Sequence, residues 1–508
     1  MLKKILLILY SAFLCPVILV AQPMVLSYDD AIRIALEKSY TIKTYDNNRA
    51  MTRFGYEYSK AMFKPRLDLD LFTPSWEEYV QTISRPEGLP VYNSIGSTQT
   101  GGNLAFTYVL PSGGDLSLSA KSYFENQETT PSSGEKLKNK LVYNRFALSL
   151  SQPVFTKNTL RENLHEAKLE FERSTVRYTR GQMDIIYDVT NEFYAVYRAT
   201  RFVEIAEERL KNSQEALRVA KLLSESGRIP EGDLMTAELE VAQDQADLLS
   251  ARGTLDAEKD VFKQLIGLDL STKILIAEKI QQEMVLIDPE IALQEALNNR
   301  LELSESELNI KLQKIEVDRA KRARELSGNI SAYYDFTGIS TSGSGSLADL
   351  YDSSIRNMKD RPSNRGITLT ISYPISDWGR GKAKVQQAKV GLADEKLELE
   401  NMKNTITKQV RNIIRIVQES QTKLQIHDKN QELAQRSYRI FTMRFENGDI
   451  SSQELAIERE RLSSIQLNYL EAYIDYKLAL ADLKRKTMWD FQNNRSYKID
   501  WKNQNTSK

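Results

Sequence analysis

The chain has 508 residues with 69 basic and 69 acidic side chains, two histidines and one cysteine, for a formal charge of zero. This balance argues against a nucleic-acid binder, which concentrates positive charge on one face. A single thiol, Cys15, excludes a disulfide framework and a thiolate metal site.

The N-terminus reads as a secretory signal peptide over residues 1–21. Lys3 and Lys4 precede an apolar run, Ile5–Val20, that ends at Ala21-Gln22, and cleavage is expected after Ala21. At 16 residues that run is shorter than the roughly 20 needed to cross a bilayer. Cys15 sits inside it between Leu14 and Pro16, a poor setting for lipidation, and is read as part of the discarded peptide. Loss of the two lysines leaves 67 basic against 69 acidic residues. No later run of 18 apolar residues follows, so no membrane-spanning helix is expected, although β-barrel strands carry a far weaker signal.

From residue 22 onward the sequence is written twice, as 22–285 and 286–485, followed by a polar tail, 486–508. Tyr28-Asp-Asp-Ala-Ile-Arg-Ile-Ala-Leu-Glu37 corresponds to Pro289-Glu-Ile-Ala-Leu-Gln-Glu-Ala-Leu-Asn-Asn299, both short amphipathic helices. Ser151-Gln-Pro-Val-Phe155 corresponds to Ser372-Tyr-Pro-Ile-Ser376, and Glu225-Ser-Gly-Arg-Ile229 to Glu446-Asn-Gly-Asp-Ile450. Pro153 and Gly227 are 74 residues apart, as are Pro374 and Gly448. Leu36 to Pro153 is 117 residues, whereas Leu297 to Pro374 is 77, so the first half carries 40 extra residues before its long helix.

Those extra residues fall in the first of two strand regions, 65–152 and 329–374. Predicted strand cores are Leu67–Leu71, Leu104–Val109, Leu116–Ala120, Phe146–Leu150, Ile330–Tyr334 and Ile367–Ile371, most alternating apolar with small or polar residues at period two. Only 143–152 and 366–374 approach the roughly 9–11 residues of a membrane strand. Pro111-Ser-Gly-Gly114 is a reversal, and 126–139 and 340–364 read as polar loops.

Each strand region leads into a long helix, 157–226 and 382–446, and a return helix, 231–266 and 451–485. In the second long helix Val385, Ala388, Leu392, Leu399, Met402, Ile406, Val410, Ile413, Val417 and Leu424 fall near a 3.5-residue period, the mark of a seam wound against another helix. Leu160, Leu164, Ala167, Phe171, Ile185, Val189, Phe193 and Val196 do the same in the first half. Some 60–70 residues at 1.5 Å each make a rod of roughly 100 Å, which needs partners along its length.

At these junctions and turns the chain resembles the TolC-like outer-membrane efflux proteins. The resemblance runs from about residue 26 to 485 and rests on the opening helix Leu26–Leu36, the junctions at 151–155 and 372–381, and the turns Ser226–Leu234 and Phe445–Leu455. It implies a mainly α, mixed α/β protomer, three of which form an outer-membrane β-barrel continuous with a coiled helical tunnel in the periplasm. Each protomer would give four strands to a twelve-stranded barrel in outer-membrane lipid. The implied role is a passive duct of a tripartite efflux or type I secretion system, fed by an inner-membrane transporter through a periplasmic adaptor. Gly227, Arg228, Gly448, Asp449 and Glu454 would lie at the tip that meets the adaptor, and Glu454 matches an acidic position that holds the closed state in some relatives. The Leu104–Ala120 hairpin exceeds the two strands that the family plan allows the first half.

Single residues read structurally first. Gly227 and Gly448 suit left-handed helix caps. Pro153 and Pro374 read as helix starts, where the missing N–H is not needed. Trp378, just past the second junction, suits either a membrane edge or ordinary packing. His165 and His427 have no converging partners for a metal or general base, and no catalytic or cofactor motif occurs. The rival to a duct is a periplasmic coiled-coil scaffold or adaptor, which would leave the paired strand insertions without a purpose.

Overall fold

A computed structural model describes residues 24–84, 89–131, 134–277, 284–340 and 345–497. The expected signal segment with Cys15, and the end of the polar tail, lie outside them. In chain order the elements are β1 (Met24–Leu26), α1 (Tyr28–Lys38), α2 (Tyr40–Ala61), β2 (Arg66–Ile83), β3 (Val91–Val109), β4 (Asp115–Thr130), β5 (Leu137–Val154), α3 (Thr159–Glu225), α4 (Glu231–Ile266) and β6 (Ile274–Ile276). The second half continues with α5 (Pro289–Asn299), α6 (Leu301–Arg322), β7 (Ser327–Ile339), α7 (Leu347–Asp360), β8 (Asn364–Ser372), α8 (Arg380–Glu446) and α9 (Ser452–Thr487). A small hairpin, β9 (Trp489–Asp490) and β10 (Arg495–Ser496), follows α9 at the start of the expected tail.

The helices repeat in length. α1 and α5 have 11 residues each, α2 and α6 have 22, α3 and α8 have 67, and α4 and α9 have 36. The capping repeats too: Ser27 accepts from the Asp30 amide at the start of α1, and Asp288 accepts from the Glu290 and Ile291 amides at the start of α5. Only the strand regions differ, with four strands in the first half and two in the second.

The chain divides into two compact units. The first comprises the described parts of 1–49, 175–305 and 399–508, and its core is helical. Ile185, Val189, Phe193 and Val196 from α3 are buried with Ile406, Val410, Ile413 and Val417 from α8, as the seam spacing requires. Phe193 is fully buried, with the Tyr28 ring at 5.7 Å, Tyr194 at 5.6 Å and Phe262 at 6.2 Å, all edge-on. Ala31 and Ala35 of α1, and their repeat mates Ala292 and Ala296 of α5, have no exposed surface, so small residues let these short helices lie close against the core. β1 and β6 pair in parallel beside them.

The second unit comprises 50–174 and 306–398 and is built on one antiparallel sheet in the order β2-β3-β4-β5-β7-β8. Its strands run to 18, 19, 16, 18, 13 and 9 residues, well beyond most of the predicted cores. Part of the added length comes from stretches with polar pairs on both faces, such as Gln127–Asn139 and the neighbouring Glu128–Lys138, which show no hydropathy alternation. The 126–139 segment is therefore mostly strand rather than loop. The 340–364 segment contains α7, whose start is a capping box: Ser346 accepts from the Asp349 amide and the Asp349 carboxylate accepts from the Ser346 amide. Ser354 of α7 accepts from Asn144 Nδ2 at 3.0 Å and donates to the Gly338 carbonyl at 2.9 Å. A side chain at Gly338 would stand 2.1 Å from the Ser354 carbonyl, so only glycine lets helix and sheet meet there.

Phe193→Ala should lower stability by about 3–5 kcal/mol, the range for truncating a fully buried aromatic. Thermal unfolding followed by circular dichroism in detergent reads it. An unchanged midpoint would show that the aromatic cluster does not carry the first unit's core.

Candidate functional sites: the paired turns and the two-faced sheet

Gly227 and Gly448 both end their 67-residue helices in the left-handed conformation, at φ 67° and 75°. Gly227 N donates to the Ser224 carbonyl and Arg228 N to Leu223, at 2.9 and 2.8 Å. Gly448 N donates to Phe445 and Asp449 N to Arg444, both at 2.9 Å, repeating the same two-bond cap. The two turns touch. Arg228 Nη2 donates to the Asn447 carbonyl at 2.8 Å, joining positions 219 residues apart. Beneath them Ala220, Ala237, Phe445, Ile450 and Leu455 form a small separate core. The apolar isoleucine at 450 thus anchors the turn from inside.

Glu454 is engaged at the base of its own helix. Its carboxylate accepts from the Ser451 amide at 2.9 Å and from the Ser451 hydroxyl at 3.1 Å, while its own amide donates to that hydroxyl at 3.2 Å. These bonds, the backbone one foremost, hold its carboxyl below the usual range. The stability that the ionised carboxylate adds to the cap is therefore fully present above the usual range and lost as pH falls through the lowered value.

Stronger ties between helices lie a few turns away. Arg459 of α9, only 6% exposed, pairs with Glu240 of α4, whose carboxyl burial pushes up against the opposing pull of that arginine. Arg209 of α3 bonds Asp244 at 2.6 Å and Asp247, both on α4, and Glu460 of α9 at 3.0 Å. Arg459 Nη1 and Asp244 Oδ2 are buried with no hydrogen-bond partner among the described residues. These charged ties between helices lay beyond sequence reasoning, because acidic and basic residues are abundant along all the long helices.

In the sheet, register sorts side chains by chemistry. One face carries the cross-strand rows Leu69–Leu104–Ala120–Phe146–Phe336 and Leu67–Phe106–Leu118–Leu148–Tyr334. The row Tyr108–Leu116–Leu150–Ala332–Ile367 follows. Most of these large apolar side chains are exposed or half-buried. The opposite face carries Asp70–Asn103–Lys121–Arg145–Thr337 and Asp68–Ala105–Ser119–Ala147–Asp335–Asn364. There Asp335 accepts from Arg145 Nη2 and Asn364 Nδ2, each at 2.8 Å. Lys121 Nζ sits 5.1 Å from the Tyr123 ring, itself stacked at 4.8 Å on Tyr143. An exposed apolar face backed by a charged one is what a strand wall between lipid and water requires. The Leu104–Ala120 segment lies in the middle of this wall. The chain thus contributes six strands to one sheet, not the four that the family plan implied, because β3 and β4 are bonded on both sides.

The junction residues lie between sheet and helix, six positions before each long helix rather than at its first turn. Pro153 is the penultimate residue of β5, opposite Asn329, and Pro374 follows the end of β8. The helices are instead started by Asn158, whose Oδ1 accepts from the Arg161 amide, and by Asp377, which accepts from the Gly379 and Gly381 amides. Between proline and helix the chain turns through left-handed residues, Phe155 in one half and Trp378 with Gly379 in the other. Trp378 is 98% exposed and Ile375 94%, so neither packs within the chain.

The family model for outer membrane efflux proteins matches residues 115–268 and 292–487. The chain belongs to that family. Its fold is also that of solved family structures. The CmeC outer membrane channel of Campylobacter jejuni aligns with a TM-score of 0.68 at 15% identity over 94% of this chain and 88% of that one. The outer membrane protein VceC of Vibrio cholerae aligns at 0.62 and 13%, over 90% and 95%. The open state of the MtrE outer membrane channel of Neisseria gonorrhoeae aligns at 0.59 and 15%, over 93% and 91%. No curated protein matches the chain. No described helix is long and apolar enough to cross a membrane, and no group of metal-ligating side chains converges among the described residues.

Gly448→Val forces a β-branched residue into the left-handed region at a cost of about 1–2 kcal/mol or more, whereas Gly448→Asn should be tolerated. Hydrogen exchange at residues 443–450 should rise sharply in the first variant only; equal exchange in both would remove the cap from the account. Glu454→Gln keeps the capping bonds, so channel conductance should not change, while Arg459→Ala should raise it by leaving Glu240 unpaired. A rise in the glutamine variant alone would make Glu454, not Arg459, the tie that holds the turns.

Proposed function

We propose that this chain is one protomer of a homotrimeric outer-membrane duct that passively conducts cargo supplied by an inner-membrane transporter through a periplasmic adaptor. The observation that carries this reading is the sheet: apolar side chains on one face, paired charges on the other, and an end strand at each side. Membership of the outer membrane efflux protein family supports a place for such a sheet in the outer membrane. A sheet in hydrocarbon must have every backbone group paired, which a single open stave does not achieve and a closed ring of copies does. Exposed apolar residues on the long helices support the same assembly. Leu222, Met235, Leu239, Ile440, Met443 and Ile457 face away from their own chain on both helix pairs and would meet neighbouring copies.

Gly227, Arg228, Gly448 and Asp449 form one continuous surface that needs both halves of the repeat, and we assign adaptor contact to it. Pro153, Pro374 and Trp378 set the passage from sheet to helix, with Trp378 and Ile375 at the inner membrane–water boundary, where amphipathic aromatic rings are favoured. The related channels CmeC and MtrE, and CusC with its "transmembrane channel formation", are consistent with this role. A periplasmic scaffold would have no use for the exposed apolar rows.

Planar-bilayer recordings of the detergent-purified protein, with mass determined in the same detergent, test the reading. Discrete conductance steps from a trimer are expected. A monodisperse monomer that neither inserts nor conducts would overturn it.

A further inference from the structure

The first half is 40 residues longer up to its junction, and between β2 and β5 it contains the hairpin Val91–Thr130, β3 and β4, that the second half lacks. This hairpin is an integral part of the sheet. β3 pairs with β2 from Arg66–Thr107 to Ile83–Val91, and β4 pairs with β5 from Asp115–Ser151 to Thr129–Leu137. β2 and β5 consequently never touch. Its side chains obey the face rule of the older strands: Phe106 and Leu118 continue the apolar row from Leu67 to Leu148, and Ser119 continues the polar row from Asp68 to Ala147.

Polarity makes the insertion neutral for closure. All five ladders are antiparallel, so adding two strands leaves β2 and β5 in the directions that they would need to pair directly. With six alternating strands, β8 of one copy also runs antiparallel to β2 of the next. Both end strands show matching apolar triplets on the same face, Leu67, Leu69 and Leu71 on β2 and Ile367, Leu369 and Ile371 on β8. The edges are thus chemically suited to each other across a boundary between copies.

We propose that the barrel of this duct has eighteen strands, six from each of three protomers, instead of the twelve that a four-strand stave would give. The inference rests on the trimeric-duct reading above. Barrel diameter grows roughly linearly with strand number, so the mouth is about one and a half times as wide as a twelve-stranded one. Strand counts of 16–18 already enclose an open aqueous channel in porins. The membrane end would then admit bulky, hydrated cargo without constriction, leaving selection to the helical end.

Single cysteines in a Cys15→Ser background test this in lipid nanodiscs, read by labelling with a charged, membrane-impermeant maleimide and by strand count in electron cryo-microscopy. Leu148→Cys lies in the wall under either strand number and should be protected; Ser119→Cys on the wet face should label. Phe106→Cys and Leu118→Cys should be protected to the same extent as Leu148→Cys, with eighteen strands in the map. If Leu148→Cys is protected while Phe106→Cys and Leu118→Cys label fully, and twelve strands are seen, the hairpin lies outside the barrel and the inference fails while the duct stands. If Leu148→Cys labels as fast as Ser119→Cys, the barrel itself is absent and both readings fall.

Discussion

Backbone hydrogen bonding at the two ends of the sheet governs much of what this chain can be. Within the described residues β2 and β8 each have a ladder on one side only. Such edges are hazardous in water and untenable in hydrocarbon, where no solvent pairs the open amides. The side chains point the same way, since Leu69, Ile367 and their row mates are exposed on a protein that has covered its helical core thoroughly. The proposed ring of copies would pair both of these edges.

Against that demand for partners, the two halves of the chain were held to one plan in their helices and released in their strands. Four successive helix lengths recur, down to the residue, and both long helices end in the same glycine cap. Staves that pack side by side must end together, or the Arg228–Asn447 contact between the turns is lost. A strand pair added to a sheet meets no such limit. It needs only matching faces and an even count.

How far the sequence could be read follows from the range of each signal. Seams such as Ile406–Val410–Ile413–Val417 were legible because burial on one helix face leaves a period in the sequence, and Gly227 and Gly448 because left-handed caps favour glycine. The strand ends were not, since Gln127–Asn139 and the neighbouring Glu128–Lys138 put polar pairs on both faces of the sheet. α7 was signalled by the Ser346–Asp349 capping box, hidden behind a run of serine and glycine. All six strand cores were legible, one in each strand of the sheet, but their order in a single sheet was not, because pairing between β5 and β7 joins residues as far apart as Tyr143 and Ile339 and leaves no local trace. For the same reason the sequence pointed to Glu454 beside the turn and was silent on Arg459 and Glu240, 219 residues apart.

The antiparallel order of the sheet has an evolutionary corollary. In the proposed barrel, a duplicated or inserted hairpin would alter calibre without changing the direction of any neighbouring strand. Width in such a lineage can change only in quanta, two strands for each copy of the chain, so intermediate bores are unreachable. The β7–β8 loop, where α7 now sits, is the mirror site in the second half at which another quantum could enter.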